Sequence, residues 1–213
     1  MTTINGNKQN GLYKDWYSDG VKCIETTYID VEQNDLYQGW YLDGIKYSET
    51  TYVDGKRSGL WQEWHVNGSS EIYEYKNNII ISIVSIRDDL GRECVLTQLI
   101  QEGKELIVWK ECKSGEHNVF VELKVPIEAK RITPTNSESR YKSRVEYAIV
   151  QRIFDIVGTE YKEASSCVYS SSILTYKVGE LIRPDGFDDN ITNECGRGIN
   201  VHAYQDHCRQ WFK

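Results

Sequence analysis

The stretch Leu12-Tyr13-Lys14-Asp15-Trp16-Tyr17-Ser18-Asp19-Gly20 has two further versions in the chain, LYQGWYLDG at 36–44 and LWQEWHVNG at 60–68. Three residue types keep their places at a spacing of 24 residues: Leu12, Leu36 and Leu60; Trp16, Trp40 and Trp64; Gly20, Gly44 and Gly68. A fixed period of this size indicates one supersecondary unit stacked against its own copies. We therefore predict three repeats over 11–78, preceded by an N-terminal tail at 1–10.

Each repeat is predicted to be a β-hairpin, because an Asp-Gly or Asn-Gly pair ends each quoted stretch and suits a tight turn with positive φ. Side chains alternate along a strand, so leucine and tryptophan share one face while tyrosine occupies the other. We expect the leucine and tryptophan face to point inward. The other face would bind a partner, since tyrosine and tryptophan offer rigid contact area with a polar tip. Its predicted binding residues are Tyr13, Tyr17, Tyr37, Tyr41 and Trp61.

The spacing of glycine and aromatic residues resembles the MORN repeat, in the variant also found in bacterial antitoxin-like proteins. Gly11, Tyr13, Trp16 and Gly20 carry the pattern in the first copy. Asp35 departs from it in the second copy, where a glycine is expected. The resemblance implies a hairpin array. It also implies a non-catalytic scaffold or interaction protein, because proteins with such repeats mostly contact other proteins or membranes.

In the rest of the chain, the type of secondary structure is predicted to change at Pro126. Residues 79–125 contain apolar runs separated by turn signals, which favours a β-meander that continues or caps the repeats. Residues 126–213 are predicted to form an α+β domain, with a loop from Pro126 to Ser139 and a helix from Tyr204 to Phe212. The predicted fold class is therefore mainly β, a hairpin repeat array followed by an α+β domain. The expected strands are Ile79–Ile86 and Ile173–Val178, with further runs at Cys94–Ile100, Glu105–Lys110 and Val119–Val125. The segment Val145–Val157 suits either a strand or a helix.

Three short stretches form the densest motif of this second half: YKVGE at 176–180, PDGFD at 184–188 and CGRGINVH at 195–202. In this order they resemble an uncharacterised domain of large DNA viruses of protists. The resemblance implies a viral protein and carries no assigned chemistry. Asn200 stands where that domain has a histidine. The residues that carry the motif are Gly179, Glu180, Asp185, Phe187, Asp188, Cys195, Gly198 and Ile199.

Two chemical interpretations of this half remain alternatives. Cys195, His202, His207 and Cys208 contain the atoms for a zinc site, but His207 and Cys208 are adjacent, and a ligand pair normally needs a turn between its members. The segment from Gly196 to Trp211 is similar to the strand and helix of ADP-ribosyltransferase-like folds, with Glu180 or Glu194 as the carboxylate to test. Since the common catalytic signatures are absent, we predict no catalytic residue, no metal and no cofactor.

The net charge of the chain restricts the classes of partner that it is expected to bind. The net charge is −7, and residues 1–78 carry 7 basic and 12 acidic side chains, which gives −5. That field disfavours nucleic acid and anionic membranes, so a protein partner is expected and a membrane-associated scaffold is the weaker alternative. A basic concentration follows in the second half and suggests a solvated face or an acidic partner: Lys130, Arg131, Arg140, Lys142, Arg144 and Arg152.

Localisation is predicted from what the sequence lacks. It contains no apolar run of the roughly 20 residues that a membrane helix needs, and Met1 is not followed by a basic and then an apolar region. Six cysteines are scattered without a C-x-x-C pair, as in proteins of a reducing compartment. We expect a chain that is not secreted and that acts in the cytoplasm of an infected cell or in a virion. The sequence leaves its oligomeric state open.

Overall fold

The computed structural model describes residues 10–95, 105–135, 141–166, 173–193 and 195–211. The chain divides into two compact units, Met1–Glu93 and Cys94–Lys213, called here the repeat unit and the second unit. Both are built from antiparallel strands, which confirms the prediction of a mainly β protein. Residues 1–9 of the predicted N-terminal tail lie outside the described residues.

The repeat unit is a seven-stranded sheet in which the strands follow one another in chain order. Each predicted repeat is one hairpin, formed by β1 with β2, β3 with β4 and β5 with β6, and β7 pairs with β6. The described residues of this unit contain no secondary structure other than these strands and their turns. The strands are β1 (Gly11–Trp16), β2 (Lys22–Ile29), β3 (Glu32–Trp40), β4 (Lys46–Val53), β5 (Lys56–Trp64), β6 (Ser70–Lys76) and β7 (Ile79–Arg87).

The three hairpin turns share one geometry. Gly20, Gly44 and Gly68 have φ values of 88°, 82° and 89°, a region that glycine enters at little cost. The residue before each glycine turns its side chain back onto the chain, as when Asp19 Oδ1 accepts from the Val21 amide at 3.1 Å. The same bond recurs at Asp43 and Asn67. The repeated Asp-Gly or Asn-Gly pair is therefore explained by the turn itself.

The second unit holds a nine-stranded sheet, whose main path runs β10-β11-β16-β8-β9-β12-β15, while β13 joins β8 to β14. Its buried core is mostly branched aliphatic and includes Val121 and Leu123 of strand β9 and Ile153 of strand β12. The elements are β8 (Leu106–Ser114), β9 (His117–Val125), β10 (Arg131–Ile132), β11 (Lys142–Val145), β12 (Ala148–Phe154), β13 (Glu163–Ser166), β14 (Thr175–Lys177), β15 (Leu181–Ile182), β16 (Ile199–His202) and the 3-10 helix η1 (Gln205–Trp211).

The prediction of an α+β domain at 126–213 was wrong, because the described part of this region contains strands and no α-helix. The segment that suited strand or helix is strand β12, in which Ala148, Val150 and Ile153 are buried against the core. β-branched side chains favour such a half-buried strand surface. The expected C-terminal helix is the 3-10 helix η1. No helix of the described residues is long and apolar enough to cross a bilayer.

The strands of the predicted 79–125 meander are divided between the two sheets. β7 completes the sheet of the repeat unit, whereas β8 and β9 belong to the sheet of the second unit. Of the expected strand Cys94–Ile100, Cys94 and Val95 are not in a strand, and residues 96–100 lie outside the described residues.

Candidate functional site

The sheet of the repeat unit has two different faces, and their residues separate by alternation as predicted. Leu12 is paired with Thr27 and Tyr13 with Thr26, so leucine and tyrosine point to opposite sides. The expectation that the leucine face points inward was wrong, since Leu12, Leu36 and Leu60 are 60%, 46% and 48% exposed. The physical reason is that the described repeat unit has no second layer to cover this face.

The leucine face, which carries Leu12, Leu36, Leu60, Trp16, Trp40 and Trp64, also carries charged groups. Lys22 Nζ lies 2.8 Å from Glu25 Oε2 and 4.0 Å from the centre of the Trp40 ring. One repeat later, Lys46 Nζ lies 2.5 Å from Glu49 Oε2, which also accepts from Gln38 at 2.8 Å. The hydrogen bond from each lysine holds the pKa of its glutamate below the usual value. These pairs give the leucine face a polar, solvated character.

The opposite side, called here the aromatic face, carries one group of stacked or edge-on rings in each hairpin. Trp61 stacks on Tyr73 with ring centres 5.4 Å apart, and Tyr13 meets Tyr28 edge-on at 6.0 Å. Beneath the rings the small side chains of Thr26 and Thr50 are buried. Several rings keep part of their surface in contact with solvent. The aromatic face consists of Tyr13, Tyr28, Tyr37, Tyr52, Trp61, Tyr73 and Tyr75.

Two of the five predicted binding residues also join consecutive hairpins. The Tyr17 hydroxyl donates to the backbone carbonyl of Trp40 at 2.7 Å, and the Tyr41 hydroxyl donates to that of Trp64 at 3.0 Å. The two tyrosines are 24 residues apart, as are the two tryptophans, so the same bond recurs from one repeat to the next. The prediction that Tyr17 and Tyr41 contact a partner stays a prediction, but any substitution there also removes a bond between repeats.

The other three predicted binding residues differ in exposure. Tyr37 is half-buried, its hydroxyl lies 3.2 Å from the Tyr47 hydroxyl, and burial raises its pKa. A side chain at Gly39 would overlap the Tyr47 ring, because a Cβ there would lie 2.5 Å from Cζ. Tyr13 is exposed, whereas Trp61 is half-buried. The Tyr13 hydroxyl donates to Asp15 Oδ2 at 3.4 Å within one strand, whereas the Tyr17 and Tyr41 hydroxyls bond between hairpins.

Acidic side chains lie along one end of the aromatic face. Asp15, Glu63 and Glu71 follow the same alternation as Tyr13, Trp61 and Tyr73. Burial raises the pKa of Glu63. The face therefore combines aromatic rings with carboxylates, a chemistry that suits cationic side chains of a partner.

In the second unit the YKVGE stretch docks onto strand β12. The Gly179 amide donates to the Val150 carbonyl at 2.8 Å, and the Val150 amide donates to the Glu180 carbonyl at 3.0 Å. Gly179 has a φ of 86°, which explains the glycine. Tyr176 is fully buried, while the Glu180 side chain is exposed. The other carboxylate considered, Glu194, lies outside the described residues.

The other two motif stretches enclose a buried arginine that sequence reasoning assigned to a basic surface. Arg144 is fully buried, and its Nη1 and Nη2 donate to the Asn193 carbonyl at 3.1 and 3.0 Å. Asp188 accepts from the Asn190 amide at 2.9 Å, and hydrogen bonds to its carboxylate lower its pKa. A Cβ at Gly198 would lie 2.6 Å from Arg144 Cγ, so this glycine is required for space. The flanking Gly-x-Gly was the one sequence signal of this close approach.

The remaining motif residues do not gather into one site. Asp185 is exposed, Phe187 is half-buried, and Ile199 is fully buried in the core. Cys195 is exposed, with Lys142 Nζ 3.8 Å from its sulfur. These positions indicate separate structural roles.

Of the four residues considered for zinc, only His202 and Cys208 come together, and they do so with Glu111. Burial lowers the pKa of His202 to about 3. Glu111 lies outside every motif that the sequence analysis singled out.

Residues 96–208 match a family described as a family of unknown function, DUF5758. No curated protein and no solved structure matches the chain.

Proposed function

We propose that this chain, which belongs to the DUF5758 family of unknown function, is a non-catalytic interaction protein that binds a protein partner through the aromatic face of its repeats. The observation that carries the proposal is the aromatic face itself, in which Tyr13 is exposed and four further rings are half-buried, on a sheet whose described residues provide no second layer within their own unit. The half-buried rings are Tyr37, Tyr52, Trp61 and Tyr75. Rings of this kind are enriched at the centres of protein interfaces.

The chemistry of the face selects the kind of partner. Carboxylates of Asp15, Glu63 and Glu71 border the rings, and residues 1–78 carry a net charge of −5. Arginine or lysine side chains would meet both the carboxylates and the ring faces. The proposed partner is therefore a protein segment with basic residues, rather than nucleic acid or an anionic lipid surface.

The finer parts of the proposal rest on the sequence resemblances. The 24-residue hairpins, with Gly20, Gly44 and Gly68 at their turns, support the assignment of the repeats to the MORN type. The three motif stretches of the second unit support a viral origin, with action in the cytoplasm of an infected cell or in a virion. Neither resemblance names the partner.

A pair of matched variants tests the face. Tyr13→Ala with Trp61→Ala alters the aromatic face, and Leu12→Ala with Leu60→Ala alters the adjacent positions on the same two strands but on the opposite face. Each full-length variant is used to capture proteins from an extract of cells that naturally produce the chain, and captured proteins are identified by mass spectrometry. Circular dichroism confirms that both variants are folded.

The expected result is a basic protein that wild type and the leucine-face variant retain and that the aromatic-face variant loses. Loss of aromatic contacts at the centre of an interface typically costs about 2 kcal/mol or more, which is a drop in affinity of at least about thirtyfold. Raised salt should weaken the capture as well. Equal capture by both variants, or loss only with the leucine-face variant, would overturn the proposal.

A further inference from the structure

Three side chains from three different elements of the second unit meet at a buried position. Glu111 comes from strand β8, His202 ends strand β16, and Cys208 lies in the 3-10 helix η1. A carboxylate oxygen of Glu111, a ring nitrogen of His202 and Cys208 Sγ all lie within 4.8 Å of one another. The side chain of His202 is 3% exposed and that of Glu111 is 19% exposed, while Cys208 is fully buried. These residue types are the common ligands of zinc.

The environment of the Glu111 carboxylate is the strongest indication that this cluster binds a ligand. Its Oε2 atom is shielded from solvent and has no hydrogen-bond partner among the described residues. His202 Nε2 lies 3.7 Å from Glu111 Oε2, which is too far for a hydrogen bond. A buried carboxylate oxygen without a partner is costly, and a metal ion is one of the few groups that offsets this cost.

His202 is oriented as a metal ligand would be. Its Nδ1 atom lies 3.3 Å from the backbone carbonyl of Tyr141. Because a carbonyl can only accept, Nδ1 carries the hydrogen and Nε2 is left with its lone pair toward Glu111. A histidine that binds a metal through one ring nitrogen commonly donates its other N–H to a backbone carbonyl in this way.

The separation of the glutamate and histidine ligand atoms is close to that around a bound ion, and the cysteine sulfur lies within 4.8 Å of both side chains' ligand atoms. Two ligand atoms at 2.0–2.1 Å from a tetrahedral zinc lie about 3.3–3.4 Å apart, and a thiolate sulfur lies slightly farther out. The separation of 3.7 Å between Glu111 Oε2 and His202 Nε2 needs only a small contraction to reach that geometry.

We propose that Glu111, His202 and Cys208 bind one zinc ion, with a fourth position left for water or another ligand. The Cys208 thiol loses its proton to solvent as the Zn–S bond forms, so thiolate and carboxylate balance the charge of Zn²⁺ while His202 binds as the neutral imidazole. The ion would fasten η1 to β8 and β16, which are hydrogen-bonded to each other through the His202 and Trp109 pair.

The test uses the full-length chain, purified under reducing conditions and stripped of metal with a chelator. Zinc is added, unbound metal is removed by gel filtration, and bound zinc is measured by mass spectrometry. Three variants are compared with wild type: Cys208→Ser, Glu111→Gln and, as the matched control, Cys195→Ser, which removes an exposed thiol outside the cluster. Cobalt is then bound in place of zinc, because a sulfur-to-cobalt absorption band reports a thiolate ligand directly.

We expect about one zinc per chain in wild type and Cys195→Ser, and a large loss of bound zinc in the other two variants. The cobalt band should be present in wild type and absent in Cys208→Ser. Circular dichroism in the presence of the chelator checks the fold of each variant, and the cobalt band of wild type tests the thiolate ligand even if a variant fails to fold. Wild type that binds no zinc, or that binds cobalt without the sulfur band, would overturn the proposal, as would folded variants that bind zinc like wild type.

Discussion

Replacement of Arg144 by methionine should destabilise the second unit far more than the same change at Arg152. The two arginines lie on strands β11 and β12, which are consecutive in the chain, and belong to the same basic segment of the sequence. Arg144 is fully buried, whereas Arg152 pairs with Glu160 at the surface, where the two side chains are 52% and 68% exposed. Methionine keeps much of the volume and removes the charge and the donors.

The magnitude follows from the bonds that Arg144 makes. Its guanidinium donates at 3.1 and 3.0 Å to the Asn193 carbonyl and at 3.4 Å to the Asn190 carbonyl. Hydrogen bonds from a charged donor contribute about 1.5–3 kcal/mol each, and a buried carbonyl that loses its donor costs about 1–3 kcal/mol. We therefore expect the free energy of unfolding of this unit to fall by about 3–5 kcal/mol in Arg144→Met. For the exposed pair of Arg152 the expected loss is about 0–1 kcal/mol.

Hydrogen exchange at increasing urea concentrations, followed by mass spectrometry, measures this difference for each unit separately. Peptides that span β11, β12 and β16 should lose protection at lower urea in Arg144→Met, while peptides of the repeat unit should keep the wild-type midpoint. Equal effects of Arg144→Met and Arg152→Met would refute the reasoning, because the structure distinguishes the two arginines only by burial and bonding. A shift confined to the repeat unit would refute it as well.

Two further predictions concern the repeat unit. Tyr17→Phe and Tyr41→Phe each remove one hydrogen bond between hairpins. In urea titrations each should lower the free energy of unfolding of the repeat unit by about 0.5–1.5 kcal/mol. Tyr13→Phe, at an exposed hydroxyl, should change that free energy by less than about 0.5 kcal/mol. If the three variants are equally stable, the hydroxyl bonds do not join the repeats. The pKa of Glu49 lies below its ordinary 4.5 because Lys46 and Gln38 donate to it, so its stabilising effect is present above that pH and is lost as the pH falls through the lowered folded value. The stability advantage of wild type over Glu49→Gln should therefore be larger at about pH 7 than at about pH 3 in urea titrations, and an equal advantage at both would contradict the assignment.

The hairpin array was predictable because its signals are local. The turn at Gly20 depends on two adjacent residues, and the 24-residue period repeats that turn with its flanking strands. Alternation also separates leucine from tyrosine correctly, yet it cannot say which face meets solvent. That outcome depends on whether another layer covers a face, and the exposed Leu12, Leu36 and Leu60 show that the described repeat unit provides none.

The second unit was harder to predict because its determinants are distant in sequence. Val145–Val157 suited strand or helix by composition, and the pairing of β12 with β9 makes it a strand. Arg144 donates to the carbonyl of Asn193, which lies 49 positions later in the chain, so nothing near Arg144 marks it as buried. The sequence signal of that contact is the pair Gly196 and Gly198, where a Cβ would lie 2.5 Å and 2.6 Å from atoms of the Arg144 side chain.

The same distance explains why the cluster of Glu111, His202 and Cys208 escaped a search by spacing. A spacing search groups ligands that one turn or one short loop can hold, and it therefore joined His202 and Cys208 to the exposed Cys195. The structure replaces that cysteine with a glutamate from strand β8, which reaches His202 only because β8 and β16 are neighbours in the sheet. The motif residues Asp188 and Gly198 pack around Arg144 instead. The proposed metal site therefore depends on Glu111, a residue outside the motif. If zinc binds here, Glu111 and not Cys195 is a ligand. Comparison of the variants at these two positions therefore distinguishes a site formed by the fold from a site suggested by sequence spacing alone.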